Sequence, residues 1–190
     1  MAKEQKRIIV VDDNSASLTA CKNILKQHFE VFPVLSAAKL FELLEHIMPD
    51  LILLDVDMPE INGYEAAGRL KKDKMFSEIP IIFISGRVDP QSETFGLNMG
   101  AVDYIHKPFV SELLLKRIET HLSLIECQKS LEERNKPILE ICDSLKEIIH
   151  VINSVRDFDD PGMLKTRLDE AGNMSKQLLS FLNDVLVNNN

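Results

Sequence analysis

This chain has few cysteines, no clustered histidines, no long apolar run and no surplus of basic charge, and each shortage removes a class of function. Cys21, Cys127 and Cys142 are its three cysteines. An odd number without metal-type spacing excludes a disulfide framework and suits a reducing cytoplasm. The five histidines form no HExxH or similar ligand cluster. No apolar run approaches the roughly 18 residues a membrane-spanning helix needs, and the start, MAKEQKRIIVVDD, holds no apolar stretch long enough for a signal peptide. The formal charge is −8; residues 1–124 carry 14 Lys/Arg against 18 Asp/Glu and residues 125–190 carry 8 against 12, so each part stands at −4. Neither part has the basic patch that binding a phosphate backbone demands, so neither nucleic acid nor membrane is an expected partner. A cytoplasmic location is expected.

What the chain does have is a repeated pattern. Its 190 residues, 45% hydrophobic and 27% charged, suit one globular domain plus a smaller appendage. Short apolar runs at 7–11, 30–34, 50–54, 80–84 and 102–105 read as buried parallel strands. EVFPV, the second run, is the weakest, because Pro33 suits an edge strand. Helical apolar periods lie between them at 16–27 and 37–47, with shorter ones at 63–72 and 90–99. Five such units with right-handed crossovers predict an α/β fold: a doubly wound, five-stranded parallel sheet, for which the flavodoxin-like order 2-1-3-4-5 fits a unit this small. The chemistry-bearing residues fall where those runs end. Asp12 and Asp13 follow RIIVV, Asp55 closes LILLD, Ser85 closes IIFIS, and Lys107 lies in AVDYIHKPF, a spread of 96 positions. A parallel sheet gathers the carboxyl ends of its strands along one edge, so these residues are expected to converge.

Taken singly, each has an ordinary reading. Asp12-Asp13-Asn14 could cap the next helix, Ser85-Gly86 could be a turn and Lys107-Pro108 a solvated loop. Met58 and Pro59 are expected to shape a loop. Taken together, VVDDN, LLDVDMPEINGYE, FISG and DYIHKPF, in this order and spacing, resemble the receiver domain of bacterial response regulators, over residues 6 to about 122. The resemblance implies phosphorylation of Asp55 with Mg2+ (or Mn2+). Asp13 and Asp55 would ligate the ion directly, Asp12 through water, and the Asp57 backbone carbonyl would be the third protein ligand. Lys107 and Ser85 would contact phosphoryl oxygens, the bond before Pro108 would be cis, and Tyr104 would be an aromatic switch that turns inward as Ser85 is pulled toward the phosphoryl group. That motion would alter the face built from residues 86–123. The physics agrees: a carboxylate attacking a phosphoryl group meets like-charge repulsion that a divalent cation relieves, and magnesium prefers hard oxygen ligands. Asp57 and Arg87 stand two residues beyond Asp55 and Ser85, and an ion pair across the mouth of the site is expected. The implied partners are a sensor histidine kinase or a phosphotransfer protein.

After Phe109 the pattern changes. Leu124, Leu131, Ile138, Leu145 and Ile152 are spaced by seven, and Ile141, Ile148 and Val155 form a second such series. That is a coiled-coil seam on a long helix, which Pro137 is expected to kink or restart near Lys136. DFDDPG (157–162) reads as a turn, and Leu164, Leu168, Ala171, Leu178, Leu182 and Val185 mark a second amphipathic helix. Residues 1–124 are thus expected to form the phosphoacceptor domain and 125–190 a helical hairpin for dimerisation or output. Pairing with a second copy into a four-helix bundle is the economical way to cover its stripes; packing back onto the sheet domain is the alternative. RLDEAGNMSKQLLSFLNDVL (167–186) resembles the second helix of a histidine-kinase dimerisation domain. That alignment puts Asp143 where the phosphoacceptor histidine would stand, with Lys146 and Ile148 where Arg and Pro are usual, so the element would be degenerate. His150, the only histidine in the hairpin, lacks the surrounding motif and reads as a seam residue.

The leading expectation is a response regulator, not a turnover enzyme, with output through dimerisation or protein contacts and no DNA-binding output. One alternative is a haloacid-dehalogenase-like phosphatase with Asp55 as nucleophile and Asp57 as general acid, since LILLDVDMP also resembles that family's DxD strand. That family usually places this strand near the N-terminus, has Thr or Val where Pro59 stands, and gives no reason for Asp12-Asp13. The other alternative is a constitutive, unphosphorylated scaffold; carboxylates held together without neutralisation would be costly there.

Overall fold

The computed structural model describes residues 5–87, 89–154 and 161–188. Its strands are β1 (Arg7–Val11), β2 (Glu30–Val34), β3 (Leu51–Asp55), β4 (Ile81–Ser85) and β5 (Asp103–His106). Its helices are α1 (Ser15–Leu25), α2 (Ala37–Leu44), α3 (Gly63–Lys72), α4 (Pro90–Asn98), α5 (Ser111–Ser154) and α6 (Pro161–Asn188). The strands pair in parallel in the order β2-β1-β3-β4-β5, the doubly wound, flavodoxin-like arrangement that the alternating pattern implied. β3 and β4 are buried at every position. β2 takes an edge, where the N–H that Pro33 lacks costs least.

Side chains alternate between the two faces of the sheet. Ile9, Val11, Ile52, Leu54 and Phe83 pack with Leu40 and Leu44 of α2 and Ala66 and Leu70 of α3. Ile8, Val10, Leu51, Leu53 and Ile82 pack on the opposite face with Leu18 and Leu25 of α1 and Leu114 and Ile118 of α5. Leu25, Leu40 and Leu53 are wholly enclosed, and burying such a side chain contributes about 1.5–3 kcal/mol. Two filled faces hold the strands in register.

Element ends differ from the sequence pattern by small steps with local causes. β3 begins at Leu51 because the Asp50 carboxylate turns back to accept from Arg7 N at 2.8 Å. β4 begins after Pro80, and β5 spans 103–106 rather than 102–105. α1 stops at Leu25 and α2 at Leu44, short of the 27 and 47 that apolar spacing suggested, because turns follow in which His28 and Phe29 donate to Leu25 O and His46 and Ile47 to Leu43 O.

The expected restart of the long helix at Pro137 does not occur. α5 runs unbroken through it. The proline removes one backbone bond, to Glu133, and that stretch of helix is exposed, so water can serve the freed carbonyl. Pro161 and Gly162, read as turn punctuation, instead open α6; a proline's fixed φ suits a first helical turn. Residues 157–160 of that expected turn lie outside the described residues.

The chain separates into two compact units, Met1–Ile125 and Glu126–Asn190, divided within α5. In the second unit, Ile148 and Val151 of α5 and Ala171 and Leu178 of α6 are buried, whereas Leu131, Ile138, Leu145 and Ile149 of α5 and Leu168 and Leu179 of α6 are exposed. Ile148 of one heptad series is thus buried within this unit, and Leu131, Ile138 and Leu145 of the other are exposed. Replacing Pro137 by Ala is expected to raise the thermal midpoint of the hairpin in far-ultraviolet circular dichroism, by up to the about 3 kcal/mol that an interior proline costs a helix. An unchanged or lowered midpoint would show that the proline is compensated by tertiary contacts.

Candidate functional site

Asp12 follows β1, Asp55 ends β3, Ser85 ends β4 and Lys107 follows β5, so four neighbouring strands deliver their last residues to one edge. One carboxylate oxygen from each of Asp12, Asp13 and Asp55 lies within 4.8 Å of the other two. Asp12 and Asp55 are buried, at 3% and 4% exposure, and Asp13 is open to solvent. Lys107 Nζ reaches across the sheet edge to donate to Asp12 Oδ2 at 2.6 Å and to Asp55 Oδ1 at 2.9 Å. Its own N–H donates to Ser85 O at 2.7 Å, and the bond to Pro108 is cis as expected.

Helix capping accounts for none of this acidic cluster. Asn14 caps α1, accepting from Ala16 N and Ser17 N, while Asp12 Oδ1 accepts from Asn14 N. Asp12 and Asp13 are therefore left to the site.

Three carboxylates face one ammonium, which is a net charge of −2. Burial, the largest influence, raises the pKa of Asp55; the hydrogen bond and charge of Lys107 act downward, and Asp12 and Asp13 push it up again. Burial alone would lower the pKa of Lys107, but its bonds to Asp12 and Asp55 outweigh that and hold it above the ordinary lysine value. Cys21 is buried on α1, and its thiol is pushed up to about 11, chiefly by burial and then by Asp12. It offers no thiolate at neutral pH. An all-oxygen donor set this compact, with one open side at Asp13, fits a hard divalent cation such as magnesium.

The expected pair at the mouth is present. Arg87 Nε and Nη2 donate to Asp57 Oδ1 at 2.8 and 2.6 Å, and Ser85 Oγ donates to Asp57 Oδ2 at 3.3 Å. The Asp57 carboxylate is thus held by Arg87 and Ser85 and is not one of the three clustered carboxylates. This leaves only its backbone for a ligand role and does not favour it as a general acid. Arg87 N in turn donates to Ser85 Oγ at 3.0 Å.

Tyr104 is buried at 2%, already turned inward, packed against Phe83 and His106 with ring centroids 6.2 and 5.3 Å away. Among the described residues its hydroxyl meets no partner at hydrogen-bond geometry. A buried unpaired hydroxyl costs about 1–3 kcal/mol, so this inward position is held by packing against a polar penalty.

Three residues at the site escaped the sequence reading. Gly63 opens α3 against β3: a Cβ there would collide with the Asp55 carbonyl and meet Val56 Cα at 2.9 Å. Its signal was the Asn62-Gly63 pair, read only as part of a motif. Tyr64 ties α3 to α4 through its hydroxyl, which donates to Ser92 O at 3.0 Å, and it stands edge-on to Phe83 and Phe95. His106 brings Nδ1 within 2.8 Å of Arg87 O and Nε2 within 3.4 Å of Glu93. Neither left a signal beyond being one of two tyrosines and one of five histidines.

The raised pKa of Asp55 has a stability consequence. A carboxyl whose pKa is higher folded than unfolded contributes stability at acid pH and loses it as pH rises and the group ionises. Asp55→Asn is therefore expected to melt at a higher temperature than wild type at pH 7, with the gain vanishing below about pH 4, where unfolded carboxyls are protonated. A gain that persists unchanged at acid pH would contradict this assignment.

Comparison with known proteins agrees with the geometry. The family described as the response regulator receiver domain matches residues 8–119. A probable cyclic di-GMP phosphodiesterase of Vibrio cholerae is 36% identical over 118 residues, covering 62% of this chain and 27% of that protein, so the chain spans about a quarter of that relative. Protein PilH of Pseudomonas aeruginosa is 32% identical over 118 residues, covering 62% of this chain and 98% of its own length. Among solved structures, a CheY-like receiver domain protein from Methanospirillum hungatei superposes with a TM-score of 0.61 at 30% identity, covering 66% of this chain and 99% of that one. The match takes in all five strands from residue 8 on and every residue of the acidic site, and through it the chain belongs to the response regulator receiver domain family.

Proposed function

We propose that this protein is a response regulator of a phosphorelay, phosphorylated on Asp55, whose output is dimerisation or protein contact through residues 125–190. The observation that carries the reading is Lys107 bridging two buried carboxylates, Asp12 and Asp55, with Asp13 beside them. A carboxylate that receives a phosphoryl group needs its like charge neutralised in this way, and the side chain that a turnover phosphatase would use as general acid, Asp57, is instead held by Arg87 and Ser85.

Asp55 is the nucleophile. One of its carboxylate oxygens forms a bond to phosphorus as the phosphorus–nitrogen bond of a phosphohistidine breaks, and the leaving imidazole takes up a proton. A sensor histidine kinase or a phosphotransfer protein would supply that group; a relative named hybrid signal transduction histidine kinase D, 29% identical over 126 residues, supports such a partner. A bound Mg2+ or Mn2+, held by Asp13, Asp55 and the Asp57 carbonyl directly and by Asp12 through water, would supply charge neutralisation. Lys107 shifts its ammonium from Asp55 Oδ1 to a phosphoryl oxygen, and Ser85 gives up Asp57 to donate to another. Tyr104 would act as the aromatic switch, its inward position held as Ser85 moves to the phosphoryl group.

Arg87 and Asp57 would screen the phosphoryl group from attacking water. Their pair is exposed, and exposed pairs stabilise a fold little, so its value lies at the mouth of the site. In the hairpin, Leu131, Ile138, Leu145 and Ile149 with Leu168 and Leu179 would meet the same residues of a second copy in a four-helix bundle. Among the described residues no helix is long and apolar enough to cross a membrane, and the acidic charge supports a cytoplasmic protein without a nucleic-acid partner.

Incubation with Mg2+ and acetyl phosphate is expected to add one phosphoryl group, read by intact mass. Asp55→Asn and chelation of the metal should each abolish the addition, and labelling that survives Asp55→Asn would refute the assignment. In the same assay Arg87→Ala should shorten the lifetime of the phosphorylated form several-fold; an unchanged lifetime would remove the screening role.

A further inference from the structure

The hairpin has a second surface that dimerisation would not use. α5 and α6 jointly line a cleft of about 470 Å³. Its floor comes from Met174, Leu178 and Phe181 of α6, and one wall is the row Glu140, Asp143 and Glu147 of α5. Those acidic positions are spaced three and four apart, so they stand along one side of the helix. Asp143 is paired with Lys146 at 2.7 Å. Glu140 and Glu147 have no cation partner among the described residues.

The cleft and the exposed apolar stripe lie on different sides. Successive helical residues turn about 100°, so Glu140 and Glu147 stand about 140–160° around α5 from Leu145. On α6 the same turn places Met174 and Phe181 about 120–160° from Leu168 and Leu179. A dimer built on the leucine stripe would therefore leave one cleft open on each copy.

We propose that this cleft is a docking site for a basic amphipathic helix of a different protein, with leucine-type side chains on Met174, Leu178 and Phe181 and lysines or arginines on Glu140 and Glu147. Charge complementarity selects that occupant: an acidic wall repels nucleic acid and anionic lipid and attracts a cationic segment. A second copy of this chain is a poor fit. Its residues 125–190 carry 8 Lys/Arg against 12 Asp/Glu, a surplus of the same sign as the acidic wall. The proposal uses the dimer reading only to say which surface stays free.

The test uses the full chain and two fluorescein-labelled synthetic helices, one of leucine and lysine and one of leucine and glutamate with the same pattern. Saturable binding is expected for the lysine helix alone, weakening with added salt. Glu140→Lys with Glu147→Lys should weaken it about tenfold or more, Phe181→Ala should also weaken it, and Glu133→Lys, which lies outside the cleft, should not. Equal weakening by Glu133→Lys, no effect of the double reversal, or no saturable binding would each overturn the proposal. Leu145→Asp keeps the two readings apart. It is expected to give a monomer in light scattering that still binds the lysine helix. A monomer that no longer binds would place the peptide on the leucine stripe and refute the cleft, whereas a variant that stays dimeric and binds would refute only the dimer face.

Discussion

The structure turns on one ammonium group. Lys107 crosses from the end of β5 to Asp12 after β1 and Asp55 at the end of β3, with Asp13 alongside. Removing its charge would leave three carboxylates within a few ångströms in a half-dry pocket, a costly arrangement. Placing it there requires that strands separated by most of the domain end at the same level. Two fully packed sheet faces enforce that register, and Gly63 lets α3 begin hard against the Asp55 backbone. The net charge that remains is what a hard cation and a phosphoryl group would complete together.

Much of this was legible in the sequence, for a physical reason. Parallel strands buried on both faces must be nearly continuous apolar runs, and their carboxyl ends must share an edge, so Asp12, Asp13, Asp55, Ser85 and Lys107 could be placed without coordinates. The Asp57–Arg87 pair followed from two opposite charges standing two residues beyond Asp55 and Ser85, which end neighbouring strands. What did not show was whatever depends on side-chain direction. That Tyr104 already sits inward with an unpaired hydroxyl, that Tyr64 binds the first turn of α4, and that His106 bridges Arg87 and Glu93 all depend on rotamers. The restart expected at Pro137 did not occur, because the local cost of a proline was weighed without the long helix on either side, which carries it.

The hairpin shows the same division. Its heptads announced two seams, but only packing decides which seam is spent internally. Ile148 and Val151 are buried, and Leu131, Ile138 and Leu145 are left exposed. The acidic row at Glu140, Asp143 and Glu147 belongs to neither seam, so no hydrophobic period pointed to it. Asp143, noticed for what it replaced in a resemblance, proves to be part of a cleft wall.

The account's central claim is that Asp55 accepts a phosphoryl group which Lys107 and Ser85 then hold. A crystal structure with Mg2+ and beryllofluoride tests it most directly. The account predicts beryllium bonded to an Asp55 carboxylate oxygen, Lys107 Nζ and the Ser85 hydroxyl each on a fluoride, and the Ser85–Asp57 bond broken. Beryllofluoride on another residue, or Ser85 still bonded to Asp57 with the adduct in place, would contradict it.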